Sequence, residues 1–225
     1  MERPQAILFD IDGLLVSTGG AGTRSWSWAF NELYGVPADI GTHTEPGMTD
    51  PVIARLTFEA VVGHEPSPEE LARVISHYVM RLPEEVAASP GYKVLTGVEE
   101  LLPRLAESGF LLGLTTGTIE AAAHAKLERG NLNRFFSFGG YGSDSADRGE
   151  LTRKAIERAG EILGAALDPH TVLVLGDTPK DISAAHAAGA IGVGVASGHY
   201  SEDDLRSAGG DYVLASLADE LPGVN

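Results

Sequence analysis

Short runs of consecutive apolar residues alternate along the chain with longer stretches whose apolar positions recur every three or four residues. The runs Ala6 to Ile11, Leu111 to Thr115, Phe135 to Phe138, Thr171 to Leu175 and Ile191 to Val195 have strand length. Unbroken rather than alternating hydrophobicity predicts strands buried on both faces. Between them, Val98 to Ser108, Ile119 to Arg129, Leu151 to Leu163 and Pro179 to Ala188 carry helical spacing, and Gly109, Gly130, Gly164 and Gly189 stand as stop signals. Strand alternating with helix predicts an α/β fold built on a parallel sheet covered on both faces. Ligands of such sheets bind beyond the carboxyl ends of the strands.

From about Val16 to Pro90 the alternation stops. Helical patterns run near Thr23 to Tyr34, Asp50 to Val62 and Pro68 to Met80, with no convincing strand. This segment reads as an inserted helical unit. Its flanks, Ser17-Thr18-Gly19-Gly20 and Ala88-Ser89-Pro90-Gly91, have the small and turn-forming residues of hinges. The expected organisation is therefore a core of residues 1–15 and 91–225 and a helical unit of residues 16–90.

Composition narrows the function. The 225 residues are 43% hydrophobic and 21% charged, as in an ordinary folded protein. Lys and Arg number 16 against 32 Asp and Glu, a formal charge of -16 with no basic cluster. That balance disfavours nucleic acid, whose affinity comes mainly from Lys and Arg displacing counterions, and it disfavours an anionic membrane surface. The absence of cysteine excludes disulfides, thiolate zinc sites and thiol catalysis. With no leader-like segment and no apolar run of membrane-spanning length, a cytoplasmic protein is expected.

Three strand ends carry candidate chemistry. In Asp10-Ile11-Asp12-Gly13, period-2 geometry points both carboxylates to one side where the strand stops. Two such charges about 4 Å apart repel by about 4 kcal/mol at an effective dielectric of about 20, so a cation or a shared proton must compensate. An acidic turn after a strand is the alternative. Gly176-Asp177-Thr178-Pro179-Lys180-Asp181 delivers another carboxylate at a strand end and one more four residues on. Hard oxygen ligands of this kind suit Mg²⁺, although Asp181 could instead favour the first turn of the following helix. Thr115-Thr116-Gly117-Thr118 ends a strand in hydroxyls and a glycine before a helix, a cradle for phosphate or simply a helix cap.

Acid, hydroxyl and acid at successive strand ends make coincidence a poor explanation. The chain resembles phosphatases of the haloacid dehalogenase superfamily, with a DxDG motif at Asp10 to Gly13, a hydroxyl motif at Thr116 and a GDxxxD motif at Gly176 to Asp181. It is most similar to the phosphoglycolate-phosphatase-like branch, through Thr18-Gly19-Gly20-Ala21-Gly22 and Gly176 to Ile182.

The resemblance implies a Rossmann-like core with a mobile helical cap, and a Mg²⁺-dependent hydrolase of small-molecule phosphate monoesters, phosphoglycolate among them. By resemblance Asp10 is the nucleophile and becomes phosphorylated. Asp12 protonates the leaving alkoxide, then activates water, and its backbone carbonyl ligates the metal. Asp10 and Asp177 are metal ligands, Asp181 supports the site, and Gly13, Thr116 and Gly117 surround the phosphoryl group. The family normally carries a lysine near Gly149. Arg148 occupies that slot, and Lys154, one to two turns on, is the alternative source of the phosphate-neutralising charge. Leu14 departs from the usual threonine. A phosphoglucomutase-like phosphotransferase and a non-catalytic regulator on the same fold are the rival readings. A monomer or homodimer is expected.

Other signals carry less. The seven histidines lack the pairing of a zinc site. Gly19, Gly20 and Gly22 follow no strand and open no dinucleotide fingerprint. Trp26, Trp28 and Phe30 read as the interior of the helical unit. Among Arg24, Arg55, Arg73 and Arg81, one could meet a second anionic group of a substrate.

Overall fold

The computed structural model describes residues 3–224. The chain opens with β1 (Ala6–Phe9), buried at every position. A two-residue strand, β2 (Val16–Ser17), leads into three helices, α1 (Ala21–Tyr34), α2 (Asp50–Val62) and α3 (Pro68–Ala88), and β3 (Lys93–Val94) leads back. Then α4 (Val98–Glu107), β4 (Leu111–Thr116), α5 (Glu120–Glu128), β5 (Gly139–Tyr141), α6 (Arg148–Leu163), β6 (Val172–Gly176), α7 (Pro179–Ala187), β7 (Ile191–Val195), α8 (Glu202–Ser207) and β8 (Tyr212–Leu214) follow in alternation.

Six strands form one parallel sheet in the order β5-β4-β1-β6-β7-β8. Period-2 geometry sends Ile7 and Phe9 into one apolar layer, with Leu102, Leu114 and Leu175, and Ala6 and Leu8 into the opposite one, with Ala155, Ala159 and Val174. Helices cover both faces, the α/β arrangement expected. Phe9 lies in register with Leu114 on one side and Leu175 on the other. The residues immediately after those three positions therefore emerge together at one edge of the sheet.

Helices α1 to α3 share a second apolar cluster, which includes Trp26, Phe30, Phe58, Val74, Tyr78 and Leu82 and continues onto Ile119 and Ala122 of the α5 region. Trp26 stacks on Tyr78 with ring centroids 4.0 Å apart. The sequence pattern ends the third helix at Met80, but α3 runs on through Pro83 to Ala88. Proline costs a helix one hydrogen bond, yet the buried stripe Val74, Tyr78, Leu82, Val86 keeps a four-residue spacing across it, and packing carries the helix past the break. At the flanks β2 and β3 pair antiparallel, Ser17 opposite Lys93, so the insert leaves and rejoins the sheet through adjacent strands.

Four strands differ from expectation, the two-residue β2 and β3, which the sequence reading does not contain, among them. The fifth strand lies at Gly139–Tyr141 rather than Phe135 to Phe138, and Asn133–Phe135 is a 3-10 turn. Phe136 and Phe138 are buried as plugs beside the strand, while Gly140 is needed because a Cβ there would meet the Leu151 carbonyl of α6 at 1.8 Å. The edge strand β8 is short and half-exposed, and Tyr212-Val213-Leu214 is too brief an apolar run to stand out as a strand. No helix among the described residues is long and apolar enough to cross a membrane.

Candidate active site

Register delivers the chemistry. Asp10 follows Phe9, Thr115 and Thr116 follow Leu114, and Gly176 and Asp177 follow Leu175. Asp10, Thr116 and Asp177 border one cleft of about 590 Å³ between the sheet edge and the helical insert, lined also by Gly117, Arg148, Lys126, Asp50 and Tyr78.

The turn after β1 depends on Gly13, at φ +80°, where a Cβ would stand 2.3 Å from Asp177 Oδ2. A side chain is excluded there both by backbone strain and by the carboxylate. Leu14 points away from the cleft into the core and is fully buried. The helix after β6 starts with Thr178 as cap. Asp181, at its third position, accepts Thr178 N–H (3.0 Å) and Oγ–H (2.7 Å) on Oδ2. Its other oxygen, Oδ1, is bonded to Arg148 Nη2. Asp181 thus both caps the helix and faces the site.

Asp10, Asp177 and Asp181 are all buried, and each offers an oxygen within 4.8 Å of the others. Burial, reinforced by Asp181, pushes the Asp10 carboxyl up to about 7 against the pull of Arg148. Burial and then Asp10 push Asp177 to about 8. Asp177 Oδ1 is buried with no hydrogen-bond partner. A buried carboxylate oxygen without a donor is expensive. Three such groups with one orphaned oxygen fit a divalent cation held by oxygen ligands. The Asp12 side chain stands apart, 46% exposed and turned to Lys126.

Arg148 is the first residue of α6, whose cap is Asp147 accepting Glu150 N–H at 2.8 Å. Besides Asp181, its Nη2 lies 3.8 Å from Asp10 Oδ1, while Nη1 donates to the Gly47 carbonyl of the insert at 3.1 Å. Its buried Nε is unpartnered, a donor left for a ligand. Flanking carboxylates hold the guanidinium above its ordinary value despite burial. Lys154 is not brought to the cleft: it is exposed and paired with Glu157 at 2.9 Å. Thr116 is buried at the end of β4 and accepts Thr118 N–H on Oγ at 3.3 Å.

The insert is seated on this edge. Asp50 N–H donates to the Gly117 carbonyl (2.8 Å), Asp50 Oδ2 accepts the Ile119 N–H that starts α5 (3.0 Å), and Thr49 Oγ donates to the Ala146 carbonyl (3.2 Å). At Gly117 a Cβ would lie 2.9 Å from Met48 O and from Thr49 Cα, so glycine permits the close approach. Burial raises the Asp50 carboxyl to about 6, with Lys126 pulling it down. The arginines of the insert do not line the cleft. Arg24, Arg55 and Arg81 pair with glutamates of the insert.

Sequence reasoning missed Lys126, Asp50 and Tyr78. Lys126 Nζ lies 2.5 Å from Asp12 Oδ2 and donates to Thr118 Oγ at 2.8 Å. A signal existed: Ala122, Ala123, Lys126 and Leu127 share the buried face of α5, and a lysine on an apolar stripe is rarely there without a partner.

A parallel α/β sheet that brings buried carboxylates, a hydroxyl and an arginine into one cleft has the site of an enzyme, with a cluster of acids that could hold a metal ion. The chain belongs to the haloacid dehalogenase-like hydrolases, whose family model matches residues 4–189. It is 26% identical over 224 residues to a protein named probable phosphatase IndB from Dickeya dadantii, covering 95% of this chain and 90% of that one. It is 25% identical over 228 residues to a phosphoglycolate phosphatase from Synechococcus elongatus, covering 98% and 97%. The fold matches that of a protein described as a predicted phosphoglycolate phosphatase from Haemophilus somnus, with a TM-score of 0.74, 20% identity and 97% coverage of both chains.

Proposed function

We propose that the chain is a Mg²⁺-dependent phosphatase that hydrolyses a small-molecule phosphate monoester in two steps through phospho-Asp10. The observation that carries this reading is the meeting of Asp10, Asp177 and Asp181 within 4.8 Å, beside the guanidinium of Arg148. The phosphatase names of relatives matching nearly the whole chain support it.

In the first step Asp10 attacks phosphorus, a P–O bond to the carboxylate forms, and the ester P–O bond breaks as Asp12 gives its proton to the leaving oxygen. In the second, Asp12 takes a proton from water, which attacks phosphorus and releases inorganic phosphate with Asp10 regenerated. Arg148 offers its unpartnered Nε, and the positive charge of its guanidinium, to phosphoryl oxygens, and Thr116 Oγ and Gly117 N–H hold them from the other side. Asp10, Asp177 and the Asp12 backbone carbonyl would hold Mg²⁺, with Asp181 in support. The ion supplies the positive charge that lets an anionic carboxylate approach an anionic phosphate.

Residues 16–90 serve as a cap over a core of residues 1–15 and 91–225, limiting water around the phosphoenzyme. The contacts of Met48 to Asp50 with Gly117 and Ile119 support a closed position of that cap. Phosphoglycolate is the first candidate substrate, on the strength of the relatives' names.

The test is hydrolysis of p-nitrophenyl phosphate and of a metabolite panel including phosphoglycolate, with and without Mg²⁺. Release of phosphate that stops on chelation, with acid-quenched protein bearing one phosphoryl group on the Asp10 peptide, is expected. Turnover retained in Asp10→Asn would overturn the reading.

A further inference from the structure

Lys126 belongs to none of the motifs, yet it lies at the heart of the cleft. It is 5% exposed, on the core-facing side of α5, and lysines are almost never buried this deeply without a specific partner. Its ammonium meets Asp12 Oδ2 at 2.5 Å and Thr118 Oγ at 2.8 Å, and Thr118 Oγ in turn lies 3.4 Å from the same Asp12 oxygen. From the insert, Asp50 and the Tyr78 hydroxyl face the same ammonium.

Asp12 needs such a partner. Asp10 is fixed in a buried cluster, whereas the Asp12 side chain is 46% exposed and would otherwise be free to rotate into solvent. General acid–base transfer requires the carboxyl within hydrogen-bond reach of the leaving oxygen, and then of water. Both contacts of Asp12 end on Oδ2, so Oδ1 is the oxygen left to face the substrate. Lysine is the residue that can do this from α5: four carbons span the distance from a helix packed against the insert, and the compact ammonium donates to a carboxylate and a hydroxyl at once.

We propose that Lys126 is a positioning residue for Asp12: its buried ammonium, bridging Asp12 and Thr118 of the core and facing Asp50 and Tyr78 of the insert, sets the acid–base carboxylate toward the leaving group. The inference rests on the reading of Asp12 as acid and base given above. It ties the geometry of proton transfer to the seating of the insert, because two of the groups around Lys126 come from α2 and α3.

The consequence differs between the two chemical steps and between esters. A p-nitrophenyl leaving group departs with little protonation, so misplacing Asp12 spares its first step and slows attack of water on phospho-Asp10. A phenyl leaving group needs the proton, and its first step suffers too.

The experiment compares the intact protein with Lys126→Met on p-nitrophenyl phosphate and phenyl phosphate. For Lys126→Met we expect a stoichiometric burst of p-nitrophenolate followed by turnover slowed about 30-fold. kcat/KM should stay within about threefold on p-nitrophenyl phosphate and fall about 30-fold on phenyl phosphate. Equal losses of kcat/KM on both esters without a burst, or an unchanged kcat, would overturn the proposal. Should Lys126→Met not fold, Thr118→Val removes the hydroxyl that joins the pair, and the same pattern at about tenfold is expected, its absence being equally decisive. Failure of the unmodified protein to hydrolyse either ester would instead sink the phosphatase reading itself.

Discussion

Arg148 and Asp181 form a buried ion pair through Nη2 and Oδ1, and the same nitrogen lies 3.8 Å from Asp10. One cation thus serves two carboxylates of the cleft, Asp10 and Asp181, while its other amino group reaches the Gly47 carbonyl of the insert. A lysine would gather its donors on one nitrogen, whereas the guanidinium spreads them over two separate amino groups, which suits a cleft closed by the loop around Gly47.

Replacing Arg148 by Ala removes the charge opposite the phosphoryl group and leaves Asp181 buried and unpaired. The expected result is a loss of kcat of about 10²-fold or more, from steady-state assays with p-nitrophenyl phosphate. Lys154→Ala, on the exposed face of α6, should leave kcat within about twofold. A reversal of that order would move the phosphate-neutralising role to Lys154.

Asp50→Ala leaves the Ile119 N–H at the start of α5 without its acceptor. Such a vacancy in the interior costs about 1–3 kcal/mol. Urea unfolding should register a drop of that size, and KM should rise because the insert loses a tie to the core. Asp50→Asn, which keeps an acceptor oxygen, should recover much of the stability.

Metal-free protein should lose stability as pH rises. Asp10 and Asp177 move from an ordinary 3.8 to about 7 and about 8 in the folded chain. Between those limits the native state holds more protons than the unfolded one, so their contribution is complete below pH 3.8 and disappears as pH climbs through 7 and 8. In chelator, Tm should fall between pH 5.5 and 8.5, and Mg²⁺ should raise it more at pH 8.5, on the order of several degrees. Equal Mg²⁺ stabilisation at both pH values would contradict the assignment of these carboxylates to the ion site.

Gly117→Ala tests the close approach of the insert. The added methyl would press on Met48 and Thr49 from 2.9 Å and force the loop outward. Since misplacement of about 1 Å at a reacting centre can cost up to about 10²-fold, kcat/KM should fall at least tenfold, with Tm little changed.

Much of the fold was legible because central parallel strands write themselves as unbroken apolar runs. β1, β4, β6 and β7 lie where those runs are, and the three motifs fall at their ends. The fifth strand was misplaced because Phe136 and Phe138 look like strand residues, while Gly140 is there to let α6 pass and Gly139 leaves room for the Tyr141 ring. α3 outran its reading because the i, i+4 stripe from Val74 to Val86 outweighs one proline. Within the cleft, residues at strand ends could be read in order. Asp50 and Tyr78 could not, since they reach it from helices that only tertiary packing brings together, and for Lys126 the apolar stripe of α5 signals burial but not the partner. Lys154 illustrates the converse: adjacent in sequence to the right helix end, it faces outward.

The paired short strands β2 and β3 carry one more implication. A Cβ on Gly19 would stand 2.4 Å from the Gly91 carbonyl carbon, so the outgoing and returning backbones touch where they cross. A segment whose two ends meet at a single point can be lengthened or shortened without stretching the strands it leaves. Asp50 and Tyr78 would have to be kept for the surroundings of Lys126 to survive such a change.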